Sequence, residues 1–173
     1  SGDFIGLNED AAMNPGYAAE TDRQNPFYET FGYSAAGATN NTFVAASEFA
    51  IQMVDGTLSG TGNNDGRISR MFRQNGAGQY VGIEQGQILG NLTPAQAGNG
   101  FSLLGAGYGV DANTTANATK DLNILTAAES FFLQSEAVTR GYMTGDGLSL
   151  FNNGIQASFD LLEAANAAAY QGD

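Results

Sequence analysis

Apolar and polar positions along this chain divide it into one regular region and one irregular region. From Asn123 to Asp173 the apolar residues recur at three- and four-residue steps, the period of helices that each bury one face. Ile124, Leu125, Ala128, Phe131, Phe132, Ser135, Val138 and Tyr142 make the first stripe. Thr126-Ala127-Ala128-Glu129 opens that helix as a capping box, in which hydroxyl and carboxylate each satisfy a backbone donor left unpaired by the first turn. Leu133 and Ala137 lie off the stripe, which predicts neighbours on more than one side. Gly141 is placed to end the helix. A second helix starts with Asp146 as N-cap and sets Leu148, Phe151, Ile155, Phe159, Leu162 and Ala165 against Ser149, Asn153, Gln156, Asp160 and Glu163. Only Tyr142 to Gly145 separate the two, so the pattern predicts an antiparallel αα-hairpin over 123–173. Gly154 lies inside the second helix, where it costs about 1 kcal/mol relative to Ala, and a close helix approach would offset that.

Upstream, over 1–122, the periodicity breaks down and the region reads as loop-rich. Ala45 to Val54 is the exception: Phe49, Ile51 and Val54 fall at helical spacing before Asp55-Gly56, predicting one short helix near 45–55. Asn14-Pro15-Gly16 and Asn25-Pro26 predict turns or extended chain, because a residue before proline is pushed out of the helical region. Around them Phe4, Tyr17, Phe27, Tyr28, Phe31 and Tyr33 read as aromatic anchors pinning a long loop to a helical body. Gln79 to Ile83 alternates as a short strand would. From Gln85 to Thr119 glycines alternate with isolated apolar residues, a loop long enough to imply a binding or packing role.

The 24 glycines and the clustering of periodic residues at one end predict a piece of a longer chain. With 18 acidic and 6 basic residues the net charge is -12, which repels phosphate backbones and anionic headgroups and argues against nucleic-acid binding. Arg67, Arg70 and Arg73 hold half of the basic charge within seven residues and are expected to pair with local carboxylates. No cysteine is present and no apolar run is long enough to span a bilayer, so if the protein is exported its address label is missing from this sequence. Four Asn-x-Ser/Thr sequons, at Asn40, Asn91, Asn113 and Asn117, follow from a chain rich in both residue types.

Chemistry has few carriers here. There is no histidine and no cysteine, so acid-base work falls to carboxylates, tyrosines and Lys120. Glu129 and Glu136 lie on one helical face about 10.5 Å apart along the axis, a marginal spacing for an inverting glycosidase pair at ~6.5 to 9.5 Å. Glu129 belongs to the cap, and Glu136 precedes Arg140 by four residues, the favourable ion-pair order. Aligning Gly66 on a calcium-binding EF-hand loop puts Thr61 and Phe72 where Asp and Glu are required, so no metal and no cofactor is expected. Tyrosines remain as ligand contacts, because the ring joins an apolar face to a polar tip. Tyr28, Tyr33, Tyr80 and Tyr108, all in the irregular region, are the candidate stacking residues.

Three blocks in order carry a family resemblance. Ala127-Ala128-Glu129-Ser130-Phe131-Phe132-Leu133-Gln134-Ser135-Glu136-Ala137 with Arg140-Gly141, then Gly154-Ile155-Gln156-Ala157-Ser158, resemble the C-terminal region of the SusD/RagB family. Ser47-Glu48-Phe49 followed by Asn64-Asp65-Gly66-Arg67, and Tyr80-Val81-Gly82-Ile83, resemble its upstream blocks, so that the likeness covers about Phe43 to Gln171. Gly66 departs from the family pattern, which has proline there. The resemblance implies a mainly α, tetratricopeptide-like helical scaffold with a C-terminal αα-hairpin and long irregular loops, a fragment of a larger SusD-like fold. It implies a nutrient-binding lipoprotein, not an enzyme, on the extracellular face of a bacterial outer membrane. Its ligand would be a glycan, oligosaccharide or peptide, delivered to a TonB-dependent, SusC-like transporter. In that arrangement 1–122 faces ligand and transporter and 123–173 is scaffold. Two readings from other classes stand beside it: a structural surface or assembly protein with no small-molecule ligand, and a carboxylate-dependent glycoside hydrolase using Glu129 and Glu136.

Overall fold

The computed structural model describes residues 4–41, 44–60 and 65–171. Thr61 to Asn64, and with them the first position of the calcium-loop alignment, lie outside the described residues. The fold is mainly α. Among the described residues seven helices stand against two short strands: β1 (Ala11–Met13), α1 (Pro26–Phe31), α2 (Glu48–Val54), α3 (Ile68–Met71), α4 (Thr115–Ala118), β2 (Leu122–Leu125), α5 (Ala127–Thr139), α6 (Gly147–Leu161) and α7 (Ala167–Tyr170).

The hairpin of α5 and α6 is built as its sequence specifies. Thr126 Oγ1 accepts from the Glu129 backbone at 3.2 Å, and the Thr126 N–H donates back to Glu129 Oε2 at 2.9 Å. Gly141 ends α5 at φ +75°, where only glycine is free of Cβ crowding. Tyr142 N–H then reaches Ala137 O at 2.8 Å and Gly141 N–H reaches Val138 O at 3.0 Å, the paired bonds of a Schellman terminus. Asp146 Oδ1 accepts from Leu148 and Ser149 at the start of α6. Across the pair, a Cβ on Gly154 would lie 2.7 Å from the Phe132 ring. The glycine is the cost of bringing the two helices that close. Ala127, Ala128, Phe131 and Ala157 fill one core here, and Ile155, Phe159 and Ala167 another.

Several expectations about this region need correcting. Ile124 and Leu125 belong to β2, not to the α5 stripe, and Ile124 is 67% exposed. β2 pairs antiparallel with β1 through Ala11 and Leu125, Ala12 and Asn123, and Met13 and Leu122, partners far apart in the sequence, with a bulge between Ala11 and Ala12. Such a partner leaves no local trace. Leu133 is 60% exposed instead of meeting a second neighbour, and Leu148 is 70% exposed, so the apolar stripe of α6 is uncovered at its first turn. α6 ends at Leu161, before Ala165, because Glu163 and Asn166 adopt positive φ and turn the chain into α7.

Among the described residues, 1–122 holds four short α-helices where one helix was expected. Asn25-Pro26 starts α1 instead of an extended segment: the Asn25 carboxamide accepts from Phe27 and Tyr28, and proline sits at the first helical position, where its missing N–H costs nothing. α2 opens three residues later than its apolar spacing predicts, at the Ser47 cap. The strand expected over Gln79 to Ile83 is reduced to a single bridge between Ser47 and Ile83. Side chains take the donors that a ladder would have used, since Val81 N–H donates to Ser102 Oγ and Gly82 N–H to Glu48 Oε2.

Arg67 joins the two regions. Its guanidinium forks onto Asp65 with contacts from 2.6 Å, donates to Ser158 Oγ at 2.7 Å and lies 4.8 Å and 5.1 Å from the Phe159 and Tyr170 ring centres. Beside it, a Cβ on Gly66 would come within 2.5 Å of Ala165 O. A proline would collide there. Arg70 reaches Glu163 and Leu162 O, whereas Arg73 bonds a backbone carbonyl, Leu104 O, and no carboxylate.

Candidate ligand groove

The four tyrosines proposed as ligand contacts separate on folding. Tyr28 is 1% exposed, packed with Val110 and Ala118, and its hydroxyl donates to Asn113 Oδ1 at 3.2 Å. Tyr33 packs against the same cluster, 6.4 Å from Tyr28 between ring centres, with its hydroxyl on Asp111 O. Tyr108 joins that cluster and lies 6.3 Å from Phe27. These three rings hold 26–33 against 104–118. Tyr28 and Tyr33 thus anchor as the aromatic series predicts, but onto the 104–118 stretch instead of a helical body, and Phe4 of that series is 53% exposed.

Tyr80 stands apart. It is half-buried against the core of Ala46, Ile51, Ile68 and Phe72 and borders a groove of about 770 Å³. Burial raises its phenol above the ordinary value of 10.0, so the hydroxyl remains a donor at neutral pH. Residues 79–96 make most of the groove, which is completed by Glu48 of α2.

Two glutamines build its wall. Gln96, 5% exposed, donates to Gly82 O at 2.9 Å and accepts the Thr93 N–H at 2.8 Å. Gln87 and Gln96 exchange amide bonds in both directions at 2.7 and 3.0 Å, and Gln87 also donates to Asn91 O. Such reciprocal pairing satisfies all the carboxamide hydrogens of Gln87 and Gln96, which is how a segment with only one short 3-10 turn keeps a fixed shape.

A second set lines the groove without protein partners. Among the described residues the side-chain amides of Gln79, Gln85 and Asn91, the Tyr80 hydroxyl and the Glu84 carboxylate form no hydrogen bond to the chain. Donors and acceptors are thus both available, beside one aromatic ring and the 64% exposed Ile88. Periodicity could not find Gln87 and Gln96, because amides that bond one another follow no spacing rule. The local signal was four glutamines between positions 79 and 96.

Glu129 and Glu136 take structural places. Glu129 is held in the cap, where backbone and hydroxyl bonds from Thr126 pull its carboxyl below the ordinary value of 4.5. Glu136 pairs with Arg140 at 2.7 Å on the exposed side of α5. Among the described residues, no three His, Cys, Asp or Glu side chains cluster as metal ligands would, and no helix is long and apolar enough to cross a membrane.

The fold is similar to solved structures. A chitin-binding SusD homolog from Flavobacterium johnsoniae superposes with a TM-score of 0.62 at 21% identity, over 98% of this chain and 30% of that one. A SusD homolog from Bacteroides uniformis gives 0.62 at 18% identity over 98% and 31%, and one from Bacteroides fragilis gives 0.57 at 20% over 93% and 32%. The chain spans about a third of the length of these structures. No curated protein sequence matches it. The profile of the SusD-like_2 family, described as starch-binding and associating with the outer membrane, matches residues 4–173. A chain matched over nearly its whole length, with the hairpin and loops described above, belongs to the SusD-like family.

Proposed function

We propose that this chain forms part of a surface nutrient-binding protein of the bacterial outer membrane that captures an oligosaccharide and delivers it to a TonB-dependent, SusC-like transporter. In this reading it binds glycan without cleaving it, and a lipid anchor outside the sequence holds it to the membrane. The observation that carries the reading is the groove at 79–96, where a half-buried tyrosine, three unpaired carboxamides and a carboxylate stand around a preformed wall. Sugars present hydroxyls that both donate and accept over rings with apolar faces, and this set answers both features. The family description, starch-binding and associating with the outer membrane, supports the ligand class and the location.

Two roles follow for the two regions. Residues 1–122 meet ligand and transporter, and 123–173 serve as the mount. Every residue bordering the groove lies in the first of these. Of the four tyrosines, Tyr80 is the one whose position supports ligand contact, while Tyr28, Tyr33 and Tyr108 are committed to packing. Titration calorimetry of the full-length protein with neutral oligosaccharides tests the reading. Tyr80→Ala is expected to weaken binding about tenfold, equivalent to losing about 1.4 kcal/mol of contact. Unchanged affinity, or no heat from any neutral oligosaccharide, overturns it. Co-purification with a large β-barrel partner tests the delivery step.

A further inference from the structure

We infer that the groove sorts saccharides by charge: it admits neutral chains and rejects those carrying uronates, with Glu84 and Glu48 as the residues that decide. The inference rests on the binding reading above and adds a ligand class to it.

The argument begins with what the groove lacks. Among the described residues, Glu48 and Glu84 are the only charged side chains on its border. All six basic residues of the chain are occupied elsewhere. Arg23 pairs with Glu20, Arg67 with Asp65, Arg70 with Glu163 and Arg140 with Glu136, at 2.6 to 2.9 Å. Arg73 is bound to Leu104 O and Lys120 to Gly107 O. None of the six borders the groove. A sugar carboxylate is acceptor-only and anionic, and proteins hold such groups with the forked donors of arginine or with lysine. Here it would meet only neutral donors, the side-chain amides and the Tyr80 hydroxyl.

The two carboxylates then act against it. Glu48 is fixed in place, its Oε2 taking the Gly82 N–H at 3.0 Å and its Oε1 the Gln52 amide at 3.1 Å. Glu84 has no such commitment and is free to accept from ligand hydroxyls. Hydroxyls gain from both acceptors, whereas an anion is repelled by both. Coulomb repulsion between unit charges about 6 Å apart amounts to roughly threefold in affinity even through a water-like dielectric, and rises as the groove excludes water. An acidic residue more than about 8 Å from the ligand, the Debye length at 0.15 M salt, would contribute little.

Competing titrations of the full-length protein at about 0.15 M salt test this. A neutral tetrasaccharide such as cellotetraose is compared with a tetragalacturonate of equal length. The expected result is at least tenfold weaker binding of the uronate. The ratio of the two affinities should fall about threefold or more in Glu84→Gln and further in the double variant with Glu48→Gln, but not in Asp160→Asn on α6, outside the groove. Tetragalacturonate binding as tightly as the neutral chain, or a ratio untouched by both groove substitutions, overturns the charge-sorting inference and leaves the binding reading standing. Failure of tetragalacturonate and of every neutral oligosaccharide titrated to bind overturns the two together.

Discussion

The α5–α6 hairpin and the groove loop at 79–96 are held by opposite means. In the hairpin, backbone bonds are satisfied within each helix and the joining energy comes from rings and methyls packed across the pair, with Gly154 letting Phe132 close in. In the loop, backbone–backbone bonds are scattered turns and single bridges, and they leave donors and acceptors over at Gly82 and Thr93. Amide side chains pair with these, led by Gln96 with its bonds to Gly82, Thr93 and Gln87. The first arrangement spreads stability over a surface; the second concentrates shape in a few polar bonds. It follows that substitutions should unfold one region globally and loosen the other locally.

Phe159→Ala should have the largest effect. This side chain is fully buried, and its ring packs under Arg67 and beside Tyr170. Truncating it should cost about 3 to 5 kcal/mol, seen as a lower denaturant midpoint for the whole chain. A midpoint shifted by no more than the groove variants shift it would remove the contrast.

Gln96→Ala comes next. It strands Gly82 O, the Thr93 N–H and half of the Gln87 amide, a loss of about 1 to 3 kcal/mol. That loss should be confined to the loop. Hydrogen exchange should accelerate across 82–96 while α5 and α6 keep their protection; uniform acceleration would mean that the loop and hairpin open together.

The smallest effect concerns pH. Because bonds from Thr126 place the folded-state value of Glu129 below its ordinary 4.5, the cap's contribution is fully present above that ordinary value and is lost as pH falls through the depressed one. Glu129→Gln should flatten this part of the stability profile. An identical profile in acid would mean that the cap contributes nothing measurable. The carboxylate is exposed, so the effect should be small and reduced by salt.

Legibility in the sequence followed the same divide. The capping box at Thr126, the stop at Gly141, the Asp146 cap and the close approach at Gly154 were all readable, because each depends on residues within a few positions of one another. The pairing of β2 with β1 was not, since its partner lies far away in the sequence. Local cues also misled. Asn25-Pro26 matches a helix start as well as a turn, and only its cap bonds to Phe27 and Tyr28 decide between them. Tyr28 was a sound candidate by residue type, yet its burial depends on Val110 and Ala118, which have no sequence relation to it. The groove could be foreseen as an irregular stretch beside Tyr80. Its wall could not, because two glutamines nine positions apart recognise each other only once the chain between them has turned.

Arg67 carries a consequence for the order of assembly. Asp65 is two positions away, but Ser158, Phe159 and Tyr170, which fill the rest of its surroundings, come 91 or more positions later. On a ribosome the arginine would therefore wait, half seated, until those late residues had been made. Locking of the turn at Asp65 and Arg67 onto α6 and α7 thus waits for those later residues to emerge, and products interrupted before Ser158 should be recognisable to proteases by the open flank around Arg67.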